Sequence, residues 1–236
     1  MQYPFVSCAR FLVRPNRFLA DVVLPGGEIC RVHVKNTGRL GELLLPGALV
    51  YLEEGQNPKR KTKYSLIAVE KDGVLFQIDS QAPNQVAAEA LLDGRITEIG
   101  PVSSLKREVT FHDSRFDIAY ETPEGKQGFL EVKGVTLLQD GVALFPDAPT
   151  SRGAKHLLHL CDAVSEGYEA AVLFLIQTAW AKGFSPHTVR DPAFTEALKK
   201  AKESGVQILA YTCHVTPDTL SLNSPVPLLL ELEKNH

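Results

Sequence analysis

The chain has 236 residues, 44% apolar and 22% charged, a balance that excludes global disorder and leaves enough apolar side chain for one or two cores of ordinary size. Its 25 Lys and Arg against 28 Asp and Glu give a net charge of −3, so no global basic field draws it to a polyanion and nucleic-acid contact must rest on a local patch. No run approaches the roughly 18 apolar residues of a membrane span, and the start, MQYPFVSCARFLVRPNRF, lacks the apolar stretch of a signal peptide, so a cytoplasmic protein without a membrane partner is expected. Cys8, Cys30, Cys161 and Cys213 share no CxxC or zinc-ligand spacing, which predicts idle thiols in a reducing compartment.

Residues 1–80 read as short strands between turns: FLADVVL, EICRVHV, ALVYLEE, KYSLIAVE and VLFQI, punctuated by Pro25-Gly26-Gly27 and Lys71-Asp72-Gly73. Five such strands predict an OB-like β-barrel, a fold that often carries single-stranded nucleic acid but that assigns no function by itself. From residue 81 the texture changes to mixed α/β, and a second domain over 81–236 is expected. Asn84 reads as the cap of a short helix through QVAAEALLDG that stops at Gly94. The strands LKREVTFH, SRFDIAYE and GFLEVKGVTLL follow, then a helix from Thr150-Ser151 and the buried strand EAAVLFLIQT. Asp191-Pro192 caps a last helix that ends at Gly205 and feeds VQILAYTCHV, which predicts a parallel crossover.

The chemistry concentrates in the hairpin around Thr122-Pro123-Glu124-Gly125-Lys126. Centred near Glu124, it pairs residues whose numbers sum to about 248, so Ile118 faces Leu130 and Phe116 faces Val132 on an apolar side. The same register sets Asp117 across from Glu131 on the other side, with Lys133 two residues along. Opposed carboxylates cost stability unless something offsets them, and a divalent cation held by Asp117 and Glu131 does so. Mg²⁺, or Mn²⁺ in its place, suits two hard carboxylates, and Lys133 could then act on an attacking water or on phosphate charge. That combination describes metal-assisted phosphodiester hydrolysis, with Glu89 as a third carboxylate if its helix packs over the hairpin. The competing reading is a solvated hairpin face with polar residues turned outward.

The order of helix with Glu89, strand with Asp117, strand with Glu131 and Lys133, then helix and strand, resembles the core of the PD-(D/E)XK restriction-endonuclease-like superfamily. A closer resemblance rests on Asn57-Pro58-Lys59-Arg60-Lys61, APNQVAAEAL, Ser114-Arg115-Phe116-Asp117, Glu131-Val132-Lys133, Phe145-Pro146-Asp147-Ala148 and Thr150-Ser151-Arg152-Gly153-Ala154-Lys155-His156-Leu157. These strings look like the sugar fermentation stimulation protein (SfsA) family. The resemblance implies an OB-like domain, a nuclease-like domain, sequence-nonspecific DNA binding and a regulatory role in maltose metabolism. The chain departs from the family pattern in lacking Cys-Pro before Asn36-Thr37-Gly38, in carrying Gly134 where Asn is usual, and in carrying Phe116 rather than Pro before Asp117.

Lys59, Arg60, Lys61 and Lys63, with Arg10, Arg14 and Arg17, are the candidate phosphate track of the first domain, and Arg115 accompanies the hairpin. Arg152, Lys155, His156 and His159 open a helix whose N-terminus favours anions, and His156, His159 and Asp162 form a weaker metal-face alternative. Phe11, Phe18 and Tyr51 read as core filling before base-stacking platforms. The leading expectation is a DNA-binding protein with a Mg²⁺-dependent nuclease site, and the alternative is a noncatalytic DNA-binding modulator of transcription on an inherited nuclease fold. A homodimer is left open, and a sugar sensor has no residue constellation behind it.

Overall fold

The computed structural model describes residues 1–230, so positions 231–236 of the expected second domain lie outside the described residues. Six strands come first: β1 (Val6–Asn16), β2 (Leu19–Val23), β3 (Ile29–Val34), β4 (Leu49–Glu54), β5 (Tyr64–Lys71) and β6 (Val74–Gln77). β1 pairs antiparallel with β2 and β4, β2 with β3, and β4 with β5; a parallel β3–β5 contact closes the ring. The alternating inward residues Ala9, Phe11, Ala20, Val22, Val32, Val50, Leu52 and Leu66 fill it.

The barrel is OB-like as expected, with a different membership. β1, which the sequence reading omitted, is one of the five staves, and VLFQI is β6, an extra strand on the outside of β5. Register shifts between Phe11 and Val13, and between Val13 and Asn16, break the period of two in β1 and hide it from a pattern search.

The second part contains α1 (Ala82–Leu92), β7 (Ser104–Phe111), β8 (Ser114–Glu121), β9 (Gln127–Val135), β10 (Leu138–Gln139), β11 (Val142–Phe145), α2 (Ser151–Ser165), β12 (Glu169–Ile176), β13 (Gly183–Pro186), α3 (Pro192–Glu203), β14 (Gln207–Val215) and β15 (Leu220–Pro225). Its main sheet runs β15-β14-β12-β9-β8-β7, parallel across β9, β12 and β14 and antiparallel at both flanks. β12 is buried on both faces, which is why it reads as an unbroken apolar run. Val172, Phe174 and Ile176 meet Leu157 and Leu160 of α2 and Phe194 of α3, whereas Ala171, Leu173 and Leu175 share a core with Val86, Ala90 and Leu91 of α1.

Thr150 and Asp191 cap α2 and α3 as predicted, accepting from the amides of Gly153 and Phe194. The cap of α1 is Gln81, without a side-chain bond, and Asn84 lies inside the helix with its amide free for another partner. The small sheet β10-β11-β13 and the edge strand β15 were not anticipated, because strands of two to four residues show no usable period and β15 is a short, partly exposed edge.

A partly buried polar network joins barrel and sheet. Lys35 Nζ lies 3.0 Å from Glu53 and 3.1 Å from Asp79, and Gln177 Nε2 donates to the Asp79 carbonyl at 3.2 Å. The Asn36–Arg39 loop is held by Arg14, whose guanidinium donates to the carbonyls of Asn36, Gly38, Arg39 and Arg17 at 2.5, 2.7, 2.8 and 2.7 Å. Arg14 is therefore a structural clasp and leaves the expected phosphate track.

Candidate active site

The β8–β9 hairpin follows the expected register from Glu121–Gln127 to Ile118–Leu130, with Gly125 at φ 81° in the turn, and then its ladder stops. The cause is Asp117. Its Oδ2 accepts the amide of Val132 at 2.8 Å, taking the donor that a regular strand would give to a backbone carbonyl. On the other flank Glu108, between the Arg107–Ile118 and Val109–Phe116 pairs, takes φ 56°. Phe116 then packs in the α2 core while Ile118 packs in the α1 core, although alternation had put them on one face. The predicted Phe116–Val132 and Asp117–Glu131 cross-strand pairs do not form; Asp117 reaches β9 through its side chain, at the point where the strands part.

Glu131 is 2% exposed. Its Oε1 accepts from Lys133 Nζ at 2.5 Å and meets His156 Nδ1 at 2.5 Å, while Oε2 is buried with no partner among the described residues. Burial pushes the Glu131 carboxyl up, but the His156 hydrogen bond and the Lys133 ammonium outweigh it and hold it below the usual range. Asp117 is pushed up, first by burial and then by the charge of Glu131, against the Val132 amide, Lys133 and Asn84. Asn84 Nδ2 donates to Asp117 Oδ1 at 2.8 Å. This contact was missed because Asn before a helical run reads first as a cap.

Glu89 does not join the pair. It lies further along α1, with Oε2 2.7 Å from the Met1 ammonium and Oε1 2.9 Å from Gln85 Nε2. His156 is buried under the site instead of lying open to a ligand, with Arg152 Nε 3.4 Å from its Nε2 and the Phe116 ring edge-on at 6.4 Å. His159 turns to Ser114 and Asp113, so no metal face with Asp162 forms.

The donors suit a hard divalent cation. Two carboxylates converge from β8 and β9, with Lys133 and His156 both on Oε1 of Glu131, and the buried Oε2 without a donor is costly unless a ligand completes it. Among the described residues no group of three or more His, Cys, Asp or Glu side chains is arranged to hold a metal ion, so any cation here would rest on the two carboxylates alone.

Residues 12–78 match the SfsA N-terminal OB domain, and residues 81–219 match the sugar fermentation stimulation protein RE domain. A sugar fermentation stimulation protein homolog of Clostridium botulinum (strain Hall) is 50% identical over 220 residues, 93% of this chain and 95% of its own. The chain belongs to the sugar fermentation stimulation protein family. The homolog of Alkaliphilus oremlandii is 48% identical over 232 residues, covering 97% and 98% of the two chains. The structure of Pyrococcus furiosus SfsA in complex with Ca²⁺ superposes with a TM-score of 0.85 at 28% identity over 97% of each chain.

In this SfsA-family chain the expected DNA contacts scatter. Lys59 and Lys61 are exposed, but Arg60 folds back over Gly55 and donates to Ser65 Oγ at 2.6 Å. Arg115 lies 3.6 Å from Glu108, and Lys155 is 2.6 Å from Asp113; both pairs are on the surface, where such contacts are weak and exchangeable. Arg152 is exposed on the first turn of α2. The Gly134 departure has a local reason: a Cβ there would lie 2.6 Å from Gln177 Oε1 and 2.8 Å from Pro83 Cγ. Gly134→Ala should therefore lower stability by about 1–3 kcal/mol, read as a fall in the urea midpoint at unchanged m. An unchanged midpoint would show that Gln177 and Pro83 yield freely.

Proposed function

We propose that this SfsA-family protein is a Mg²⁺- or Mn²⁺-dependent nuclease that cuts DNA. The observation that carries this reading is the buried, unpartnered Oε2 of Glu131 beside Asp117, with Lys133 at the same carboxylate. The Ca²⁺ complex of the Pyrococcus relative supports a divalent ion in the family. Asp117 and Glu131 would hold the cation, which when bound supplies charge to polarise a phosphodiester and favour attack by water.

The chain's own groups do the rest. His156 fixes the rotamer of Glu131, and Asn84 with the Val132 amide fixes that of Asp117. Lys133 has three donors, one of them on Glu131, which leaves others to orient a nucleophile or offset charge on the phosphate. Arg152 and Lys155, at the N-terminus of α2, add positive potential for the scissile strand.

The test is cleavage of plasmid and single-stranded DNA with Mg²⁺, Mn²⁺ or EDTA by the native chain and by Lys133→Ala. Cation-dependent product from the native chain, reduced about a hundredfold in the variant, is expected. Equal cleavage by both proteins sinks the assignment. DNA binding that falls steeply with salt, with no cation-dependent product, would replace it with the noncatalytic binder that modulates maltose-metabolism genes.

A further inference from the structure

The barrel carries a groove that its own folding does not explain. It measures about 450 Å³ and is floored by Phe11, Leu12, Val13 and Leu44. Arg17 and Arg39 line it beside the Arg14 clasp, and no Asp or Glu does, in a protein whose net charge is −3. Arg17 and Arg39 are exposed and have no carboxylate partner among the described residues.

Beside it, the β1–β2 turn holds out Phe18, 49% exposed, with the Arg17 guanidinium 5.5 Å from its ring centroid. Asn16 Oδ1 accepts from the amides of Phe18 and Leu19 at 2.9 and 3.1 Å, which pins the backbone of the turn that carries the ring. Of the three aromatics considered as stacking platforms, Phe11 is buried in the barrel and Tyr51 is half-buried, which leaves Phe18 as the exposed one.

The groove leads somewhere. Thr37 and Gly38 line both it and a second, narrower cleft of about 180 Å³ between barrel and sheet. That inner cleft is lined by Asn36, Ser80, Thr136 and Gln177, with Asp147 its one carboxylate, and it ends at Gly134 and Val135 of β9, next along the strand from the Glu131–Lys133 segment, which does not line it.

We propose that this groove is the docking track for single-stranded DNA, feeding one strand past the Thr37-Gly38 loop toward the Asp117–Glu131 pair. Cations with an apolar floor and an exposed aromatic suit a ligand that offers phosphates and free base faces together. A duplex turns its bases inward and offers mainly phosphates, which would leave Leu12, Val13 and Phe18 without partners. The Lys59–Lys61 loop is a separate feature. It follows β4, whose Glu53 pairs with Val6, so it lies at the other end of β1 from Asn16, about 30 Å along the strand.

Only the destination of the strand rests on the nuclease reading; the docking track does not. Binding is therefore measured by fluorescence anisotropy in EDTA, with the full chain and labelled dT20, rU20 and a 20-base-pair duplex, so that a failed cleavage assay leaves the result intact. The expected outcome is tightest binding to dT20, weakened about tenfold in Phe18→Ala. In the Arg17→Ala/Arg39→Ala double variant the slope of log affinity against log salt should fall by about 1.4. Tighter binding of duplex or RNA, unchanged affinity in both variants, or loss of binding only in Lys59→Ala/Lys61→Ala overturns the proposal.

Discussion

Glu131→Gln is expected to lower cation-dependent DNA cleavage about a thousandfold, equivalent to about 4 kcal/mol of barrier, while the protein stays folded. Glutamine keeps the shape of the side chain but offers one neutral oxygen and a donor, so the Lys133 ammonium loses its carboxylate and the proposed cation site loses half its charge. Initial cleavage rates give the effect, and isothermal titration with Mn²⁺ separates its cause. On the proposed reading cation affinity falls together with rate, whereas a rate loss at unchanged cation affinity would assign Glu131 to another step. Asn84→Ala should act more gently, because Asp117 keeps its bond to the Val132 amide.

The largest expected loss of stability is elsewhere. Phe174 is fully buried in the C-terminal half of β12, with its ring centroid 4.1 Å from that of Phe184 and 5.5 Å from that of Phe145. Truncation to alanine removes the transfer energy of the ring and leaves a cavity that three other aromatic rings cannot collapse into. The expected cost is about 3–5 kcal/mol, a large part of the stability of an ordinary domain. Urea unfolding followed by far-UV circular dichroism checks it, and a cost below about 1 kcal/mol would mean that the site repacks. The companion change Phe194→Ala should be non-additive with it, since both rings border the same space at 6.3 Å.

Position 131 shows what could be read in advance. The turn at Glu124-Gly125 and the apolar pairing of Ile118 with Leu130 follow from local pattern, and they were enough to bring Asp117, Glu131 and Lys133 into one neighbourhood. The break at Asp117 could not be read, because it depends on a side chain outcompeting a backbone carbonyl for one amide. Glu89 failed for a related reason. Asn84 and Glu89 are five apart and lie about 140° apart around α1, so one face cannot present both, and only docking of the helix decides that Asn84 arrives and that Glu89 meets Met1 instead.

The basic residues carry the same lesson. Lys59, Arg60, Lys61, Arg14 and Arg17 are equivalent as charges in a string, yet folding turns Arg14 inward to four carbonyls, folds Arg60 onto Ser65 and leaves Arg17 beside Phe18. By itself the sequence determined the barrel-then-sheet order, the caps of α2 and α3, the doubly buried β12 and the short list of ionisable groups at positions 117, 131 and 133. These depend on periodicity, on capping chemistry and on residues a turn apart. Tertiary structure alone decided that β1 completes the barrel, that His156 and Asn84 hold the two carboxylates, and that Glu131 keeps one oxygen without a donor. Each of those is set by contacts between segments far apart in the chain, whose free energy no local window contains.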